Sequence, residues 1–200
     1  HHAYLFTGTR GVGKTTLARI IAQCFNCEQG ITHDPCGACT SCVALRQQHM
    51  VDFIEIDAAS RTKVEDTREI LDNIPYPPAM ARHKIYLIDE VHMLSNHSFN
   101  ALLKTLEEPP KHVIFILATT DPQKLPSTIL SRCLQLHLTP IPSTVIADYL
   151  AHVLTQEKIA FEKTALPMLA DAAEGSLRDA LSLLEQSIAL CSGDITHEKI

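Results

Sequence analysis

Apolar residues gather in short, nearly continuous runs at residues 4–6, 53–56, 84–88, 113–118 and 134–138. Runs without polar alternation predict strands covered on both faces, as in a parallel sheet. Between most of them the period becomes helical. Leu17, Ile20, Ile21, Cys24 and Phe25 space onto one face, as do Phe99, Leu102, Leu103 and Leu106. This alternation predicts an α/β domain with a parallel sheet. At Thr139-Pro140-Ile141-Pro142-Ser143 the pattern breaks, and no strand-like run is predicted beyond it. Val145, Ile146, Tyr149, Leu150 and Val153 space as one helix there. Leu177, Leu181, Leu184 and Ile188 space as another, with Ser176 as its N-cap. The expected division is an α/β domain over residues 1–139 and a small helical domain over 143–200.

Composition narrows the class. A hydrophobic content of 46% and a charged content of 20% over 200 residues suit a packed globular chain and argue against disorder, collagen and coiled coil. No run approaches the roughly eighteen apolar residues of a membrane span, and no signal-peptide core opens the chain. A soluble, cytoplasmic protein without membrane contact is expected. The chain starts without Met, enters a strand-like run almost at once and ends on Glu198-Lys199-Ile200. It is therefore expected to be a fragment of a longer polypeptide. Lys and Arg total 17 against 23 Asp and Glu, a net charge of −6. That balance excludes a global basic footprint, so any nucleic-acid contact must be a local patch.

Three features carry chemistry. Gly8-Thr9-Arg10-Gly11-Val12-Gly13-Lys14-Thr15 fits GxxxxGKT, follows a strand and leads into a helix, the context of a phosphate-binding loop. In such loops backbone N–H groups close around phosphate oxygens, the Lys reaches the outer phosphates and the hydroxyl meets Mg²⁺. Candidate nucleotide contacts are Gly8 to Thr15 together with Thr16. The strand Ile85-Tyr86-Leu87-Ile88 ends in Asp89-Glu90. With a phosphate loop present, Asp89 is expected in the Mg²⁺ shell and Glu90 is expected to orient and deprotonate water.

Third, four of the seven cysteines, Cys27, Cys36, Cys39 and Cys42, crowd a Gly- and Pro-containing stretch without apolar periodicity. A tetrahedral Zn²⁺ with four sulfur ligands would supply the core of a module within residues 24–45 and would be structural. An iron–sulfur cluster and two disulfides are the alternatives. His33 reads as a solvated loop residue. Cys24, Cys133 and Cys191 read as core packing.

These residues resemble the AAA+ ATPases and, within them, the clamp-loader subunits of bacterial DNA polymerase III. The resemblance runs through HHAYLFTGTRGVGKTT, the four-cysteine insertion, EIDAASRTKVEDTR, YLIDEVHMLSNHSFNALLKTLEEPP, LATTDPQKLP, ILSRC and EGSLRDALSLLEQ. It implies an AAA+ fold followed by a helical lid, and ATP with Mg²⁺ as nucleotide and cofactor. It also implies a motor role in loading the sliding clamp onto primed DNA, as part of the polymerase holoenzyme. Other loader subunits, the sliding clamp and the primer-template backbone would be partners.

Individual roles follow from the same resemblance. Of Thr119 and Thr120 in the sensor-1 position, Thr120 would read the γ-phosphate or its water. Arg132 in Ser131-Arg132-Cys133 would be an arginine finger acting on the neighbouring subunit, against a plain surface salt bridge. Arg178 would be sensor 2, against a partner for Asp179 or Glu174. Arg61, Lys63 and Arg68 would contact the DNA backbone, against a solvated helix face shared with Glu65, Asp66 and Glu69. Family members also carry residues upstream of His1 that help form the adenine pocket, and a collar domain after the lid. A different AAA+ class, such as a helicase loader or remodelling ATPase, and a non-enzymatic scaffold are the competing functions.

Overall fold

The computed structural model describes residues 1–60, 73–191 and 194–196. Each predicted apolar run is a strand: β1 Ala3–Thr7, β2 Phe53–Asp57, β3 Lys84–Asp89, β4 Val113–Thr119 and β5 Leu134–His137. They form one sheet in the order β2-β3-β4-β1-β5, and each adjacent pair is parallel. The central strands behave as predicted, with β4 buried along its length and Ile85–Ile88 of β3 buried. The edges do not. All four residues of β5 are exposed and only Ile56 of β2 is buried, because an edge strand has a neighbour on one side only.

Helices α1 (Lys14–Asn26), α2 (Thr40–Arg46), α3 (Asn96–Glu107) and α4 (Ser127–Leu130) belong to the same unit. In α3 the predicted face holds, since Phe99, Leu102 and Leu106 are buried and Leu103 packs against them. In α1 it does not. The buried stripe is Lys14, Ala18, Ala22 and Asn26, while Ile20 is 46% exposed and Cys24 only half-buried. Alanines let this helix approach the sheet closely, and the bulky residues flank that line of contact. The core of the unit centres on Tyr86 and Phe115, whose rings stack at 5.6 Å, with Leu5, Ile88 and Leu117 around them. Burial pushes the Tyr86 hydroxyl up to about 12.

Asp52 fixes the approach to β3. Its carboxylate accepts hydrogen bonds from the backbone N–H groups of Ala79 (2.7 Å), Met80 (2.7 Å) and Ala81 (2.8 Å), and its carbonyl accepts from Ile85 at 2.8 Å. Asp52 is buried, so Asp52→Ala would strand three donors. The expected result is a loss of about 3 kcal/mol in denaturant unfolding, the scale of charge-assisted hydrogen bonds left unmade. An unchanged midpoint would show that water replaces the carboxylate at no cost.

The second unit comprises Gly8–Gly13 and Leu138–Ile200 by its contacts. Its helices are α5 (Ser143–Gln156), α6 (Leu166–Ala172) and α7 (Leu177–Leu190). Ser176 caps α7 as predicted, its hydroxyl accepting from the Asp179 N–H at 3.2 Å. On α5 the buried line is Ile146, Leu150 and Leu154, while Val145 and Tyr149 are exposed. The core joins these residues to Leu166, Leu169, Ala180 and Leu184. Contrary to the apolar pattern, strands occur here: β6 (Ala160–Phe161) pairs in parallel with β7 (Asp194–Ile195). Strands of two residues are too short to leave a periodicity. Among the described residues no helix is long and apolar enough to cross a membrane.

Candidate nucleotide and metal sites

The carboxyl ends of the strands carry the polar residues, the edge at which open α/β sheets bind ligands. Registers align Thr7 with Thr119 and with His137, and Asp57 with Asp89. Within this unit the Thr15 hydroxyl, in the first turn of α1, donates to Asp89 Oδ2 at 3.3 Å, and the Glu90 N–H donates to Asp89 Oδ1 at 2.9 Å. Burial raises the Asp89 carboxyl above its ordinary range. The Glu90 N–H opposes that shift and the Glu90 charge adds to it, while Lys14 and the Thr15 hydroxyl oppose it. A half-buried carboxylate beside a second one invites a cation. Two neighbouring oxygens of an octahedral Mg²⁺ shell lie about 3.0 Å apart at bond lengths of about 2.1 Å, so Thr15 and Asp89 fit as neighbouring positions.

Glu90 stands in the left-handed region at φ 46° and ψ 46°, between β3 and the short helix Val91–Met93. That conformation is strained for a residue with a Cβ. From that position the side chain reaches the end of β4, where Glu90 Oε2 accepts from the Thr120 hydroxyl at 2.9 Å and from the Thr120 N–H at 3.1 Å. Thr120 is exposed, whereas Thr119 is fully buried. The loop before α1 contains Gly11 at φ +76° and Gly13 at φ +97°. Side chains resist such angles, and a Cβ on Gly11 would collide with the Ser176 hydroxyl. Within the second unit the Leu177 N–H donates to the Gly11 carbonyl at 3.1 Å. Thr9, Arg10 and Thr16 are exposed, Val12 and Lys14 are buried, and Gly8 is half-buried.

The sulfur atoms of Cys27, Cys36, Cys39 and Cys42 all lie within 4.8 Å of one another and could hold a metal ion. Zn–S bonds of about 2.3 Å in a tetrahedron separate sulfurs by about 3.8 Å, so the cluster fits one centre. Its convergence on one point is unlike two separate disulfides. Backbone donors face the sulfurs: Cys39 N–H to Cys36 Sγ and Cys42 N–H to Cys39 Sγ, both at 3.4 Å. Backbone hydrogen bonds from Cys36 and Gln29 hold the Cys27 thiol low. Burial, then the neighbouring Cys39, push Cys42 up to about 12. Asn26 anchors the stem, donating to the His83 carbonyl at 3.0 Å and accepting its N–H at 2.8 Å. His33 is exposed, as expected. Cys24 lies outside the core and its thiol reaches the His33 carbonyl at 3.9 Å, Cys133 packs partly buried against the first core, and Cys191 is buried.

Residues 1–142 match the family model described as DNA polymerase III, delta subunit, and residues 145–193 match the DNA polymerase III clamp loader subunit, ATPase lid domain. The chain belongs to the DNA polymerase III clamp-loader family. It is 64% identical over its whole length to the tau/gamma subunit of Haemophilus influenzae and to the tau subunit of Escherichia coli, covering 29% and 31% of those proteins. The tau subunit of Bacillus subtilis is 49% identical over 97% of this chain and 34% of its own length. The chain thus spans about a third of these relatives. In fold it resembles the Thermotoga maritima RuvB Holliday junction branch migration motor, with a TM-score of 0.67 and 21% identity over 98% of this chain and 59% of that one. The fold is accordingly AAA+, a parallel sheet with helices followed by a helical lid.

For this clamp-loader chain the structure brings Thr15, Asp89, Glu90 and Thr120 together, with Lys14 close enough to act on the Asp89 charge. Arg132 makes an ion pair with Glu107 at 2.5 Å and donates to the Thr128 carbonyl at 2.8 Å. Arg178 is exposed, and no ion pair joins it to Asp179 or Glu174 among the described residues. Arg61, Lys63 and Arg68 lie outside the described residues. Sequence reasoning missed His92, whose Nδ1 reaches both Thr119 and Glu90. Its only sequence signal is its place just after the acidic pair, which means little until the left-handed Glu90 turns the chain back.

Proposed function

We propose that this chain is the ATP-binding and ATP-hydrolysing motor portion of a bacterial clamp loader, which places a sliding clamp on primed DNA. The observation that carries the reading is the placement of Thr15, Asp89, Glu90 and Thr120 at one sheet edge in a chain of clamp-loader sequence. The domain division is an AAA+ domain over 1–139 and a lid over 143–200. Gly8 to Thr16 bind the phosphates through backbone N–H groups, and Lys14 neutralises the outer ones. Mg²⁺, held by Thr15 and Asp89, would neutralise charge on the phosphate oxygens. Glu90 takes the proton as the water oxygen bonds to the γ-phosphorus and the bond to the ADP oxygen breaks. Thr120 reads the γ-phosphate or its water while aiming Glu90, and Arg178 reports the phosphate to the lid.

Cys27, Cys36, Cys39 and Cys42 hold a structural Zn²⁺, since four sulfurs leave no open position. Arg61, Lys63 and Arg68 contact the DNA backbone without reading bases. Other loader subunits complete the assembly, and the protein acts in the cytoplasm.

Two substitutions test the site in the full-length protein. Lys14→Ala is expected to abolish nucleotide binding or turnover with an intact fold. Glu90→Gln should keep nucleotide binding and slow turnover by about 10²–10⁴, the usual contribution of a general base. Fluorescent-nucleotide titration and phosphate release distinguish these effects. Wild-type affinity and turnover in Lys14→Ala would end the phosphate-loop assignment. Stimulation of ATPase by clamp and primed DNA in the reconstituted complex separates clamp loading from other AAA+ activities.

A further inference from the structure

We propose that His92 is a positioning residue for hydrolysis, holding Glu90 and the end of β4 in one register through its Nδ1–H. The proposal rests on the reading of Glu90 as the base. His92 Nδ1 lies 2.8 Å from the Thr119 hydroxyl and 3.3 Å from Glu90 Oε2. Its side chain is only 8% exposed, so water does not readily substitute for it. Thr119 Oγ1 also accepts the Asp121 N–H at 3.0 Å, tying the imidazole to the turn after β4.

Donor and acceptor chemistry fixes the proton. An ionised carboxylate only accepts hydrogen bonds, so Nδ1 facing Glu90 at this distance is favourable only when it carries the proton. That N–H is hydrogen-bonded to Thr119 Oγ1, and Glu90 Oε2 lies beside it at 3.3 Å, within ion-pair distance. The Thr120 N–H and hydroxyl donate to Oε2, and His92 Nδ1 adds an electrostatic contact to the same oxygen. No hydrogen bond reaches Oε1 among the described residues, which leaves that oxygen for water. The strained Glu90 backbone does not by itself aim the carboxylate, because χ rotation would release it. His92 adds a second constraint beside Thr120, from the helical turn Val91–Met93 directly behind Glu90.

The test uses the full-length protein assembled with its loader subunits, comparing His92→Ala, His92→Asn and His92→Gln. An Asn amide can occupy the Nδ1–H position, whereas a Gln amide reaches the Nε2 position. Turnover in the Ala and Gln variants is expected to fall about 10- to 100-fold, the cost of a misplaced catalytic group. Nucleotide affinity should stay at the wild-type value, and Asn should restore most of the rate. In Glu90→Gln/His92→Ala the second change is expected to cost nothing further, because the group it positions is already disabled. Wild-type turnover in the Ala and Gln variants, weakened nucleotide binding in place of slowed turnover, or additive losses in the double variant would each overturn the proposal. If His92→Ala does not fold, the contrast between Asn and Gln decides, and equal rates for the two overturn it. Glu90→Gln alone serves as the control: if it turns over normally, the base reading fails, whatever His92 does.

Discussion

Arg132→Ala is expected to leave nucleotide binding by its own subunit nearly unchanged while lowering hydrolysis in the assembled complex by about 10³–10⁵, the range of trans-acting arginine fingers. In the chain itself Arg132 is held by Glu107 and by the Thr128 carbonyl, and Glu107 is 52% exposed. A surface pair of this kind contributes about 0–1 kcal/mol. The salt-bridge reading therefore predicts a small stability change and no loss of turnover. The finger reading predicts the reverse. Mixing decides between them: a subunit with a disabled nucleotide site that keeps Arg132 should restore hydrolysis next door, and one that also carries Arg132→Ala should not. Equal rescue by both would leave Arg132 as a surface cation.

Removal of metal from the cysteine module is expected to unfold it, since structural zinc supplies an apparent 10–16 kcal/mol in small modules at about neutral pH. The segment has little else to hold it. Between Cys27 and α2 no regular element occurs, and α2 itself begins at the cluster with Cys39 as its N-cap. One zinc per chain is expected by elemental analysis, with Cys42→Ser losing both the metal and α2. Metal competes with protons for these sulfurs. The Cys42 thiol, pushed up to about 12, must give up its proton to bind, so affinity should fall as the pH is lowered and protons should be released on binding. A metal content well below one with paired, unreactive cysteines would favour disulfides. Visible absorbance with bound iron would favour a cluster.

The sequence by itself determined the sheet, because five apolar runs each became a strand and parallel strands buried on both faces must be continuously apolar. It singled out the GxxxxGKT loop, the Asp89-Glu90 pair and the four thiols as candidates for a related reason: each is a local pattern whose proposed chemistry requires fixed spacing. Faces of helices were less legible. In α3 the bulky residues were the buried ones, but in α1 close approach to the sheet selected Ala18 and Ala22 and turned Ile20 outward. Hydrophobicity ranks residues by transfer energy, whereas packing against a sheet also selects by size. The short pair β6 and β7 left no pattern to read. Only the tertiary structure decided the partners of the site. Glu90 and Thr120 are 30 residues apart, His92 and Thr119 are 27, and Thr15 and Asp89 are 74. Strand order and the left-handed backbone at Glu90 bring them within hydrogen-bond reach, and neither has a one-dimensional signature.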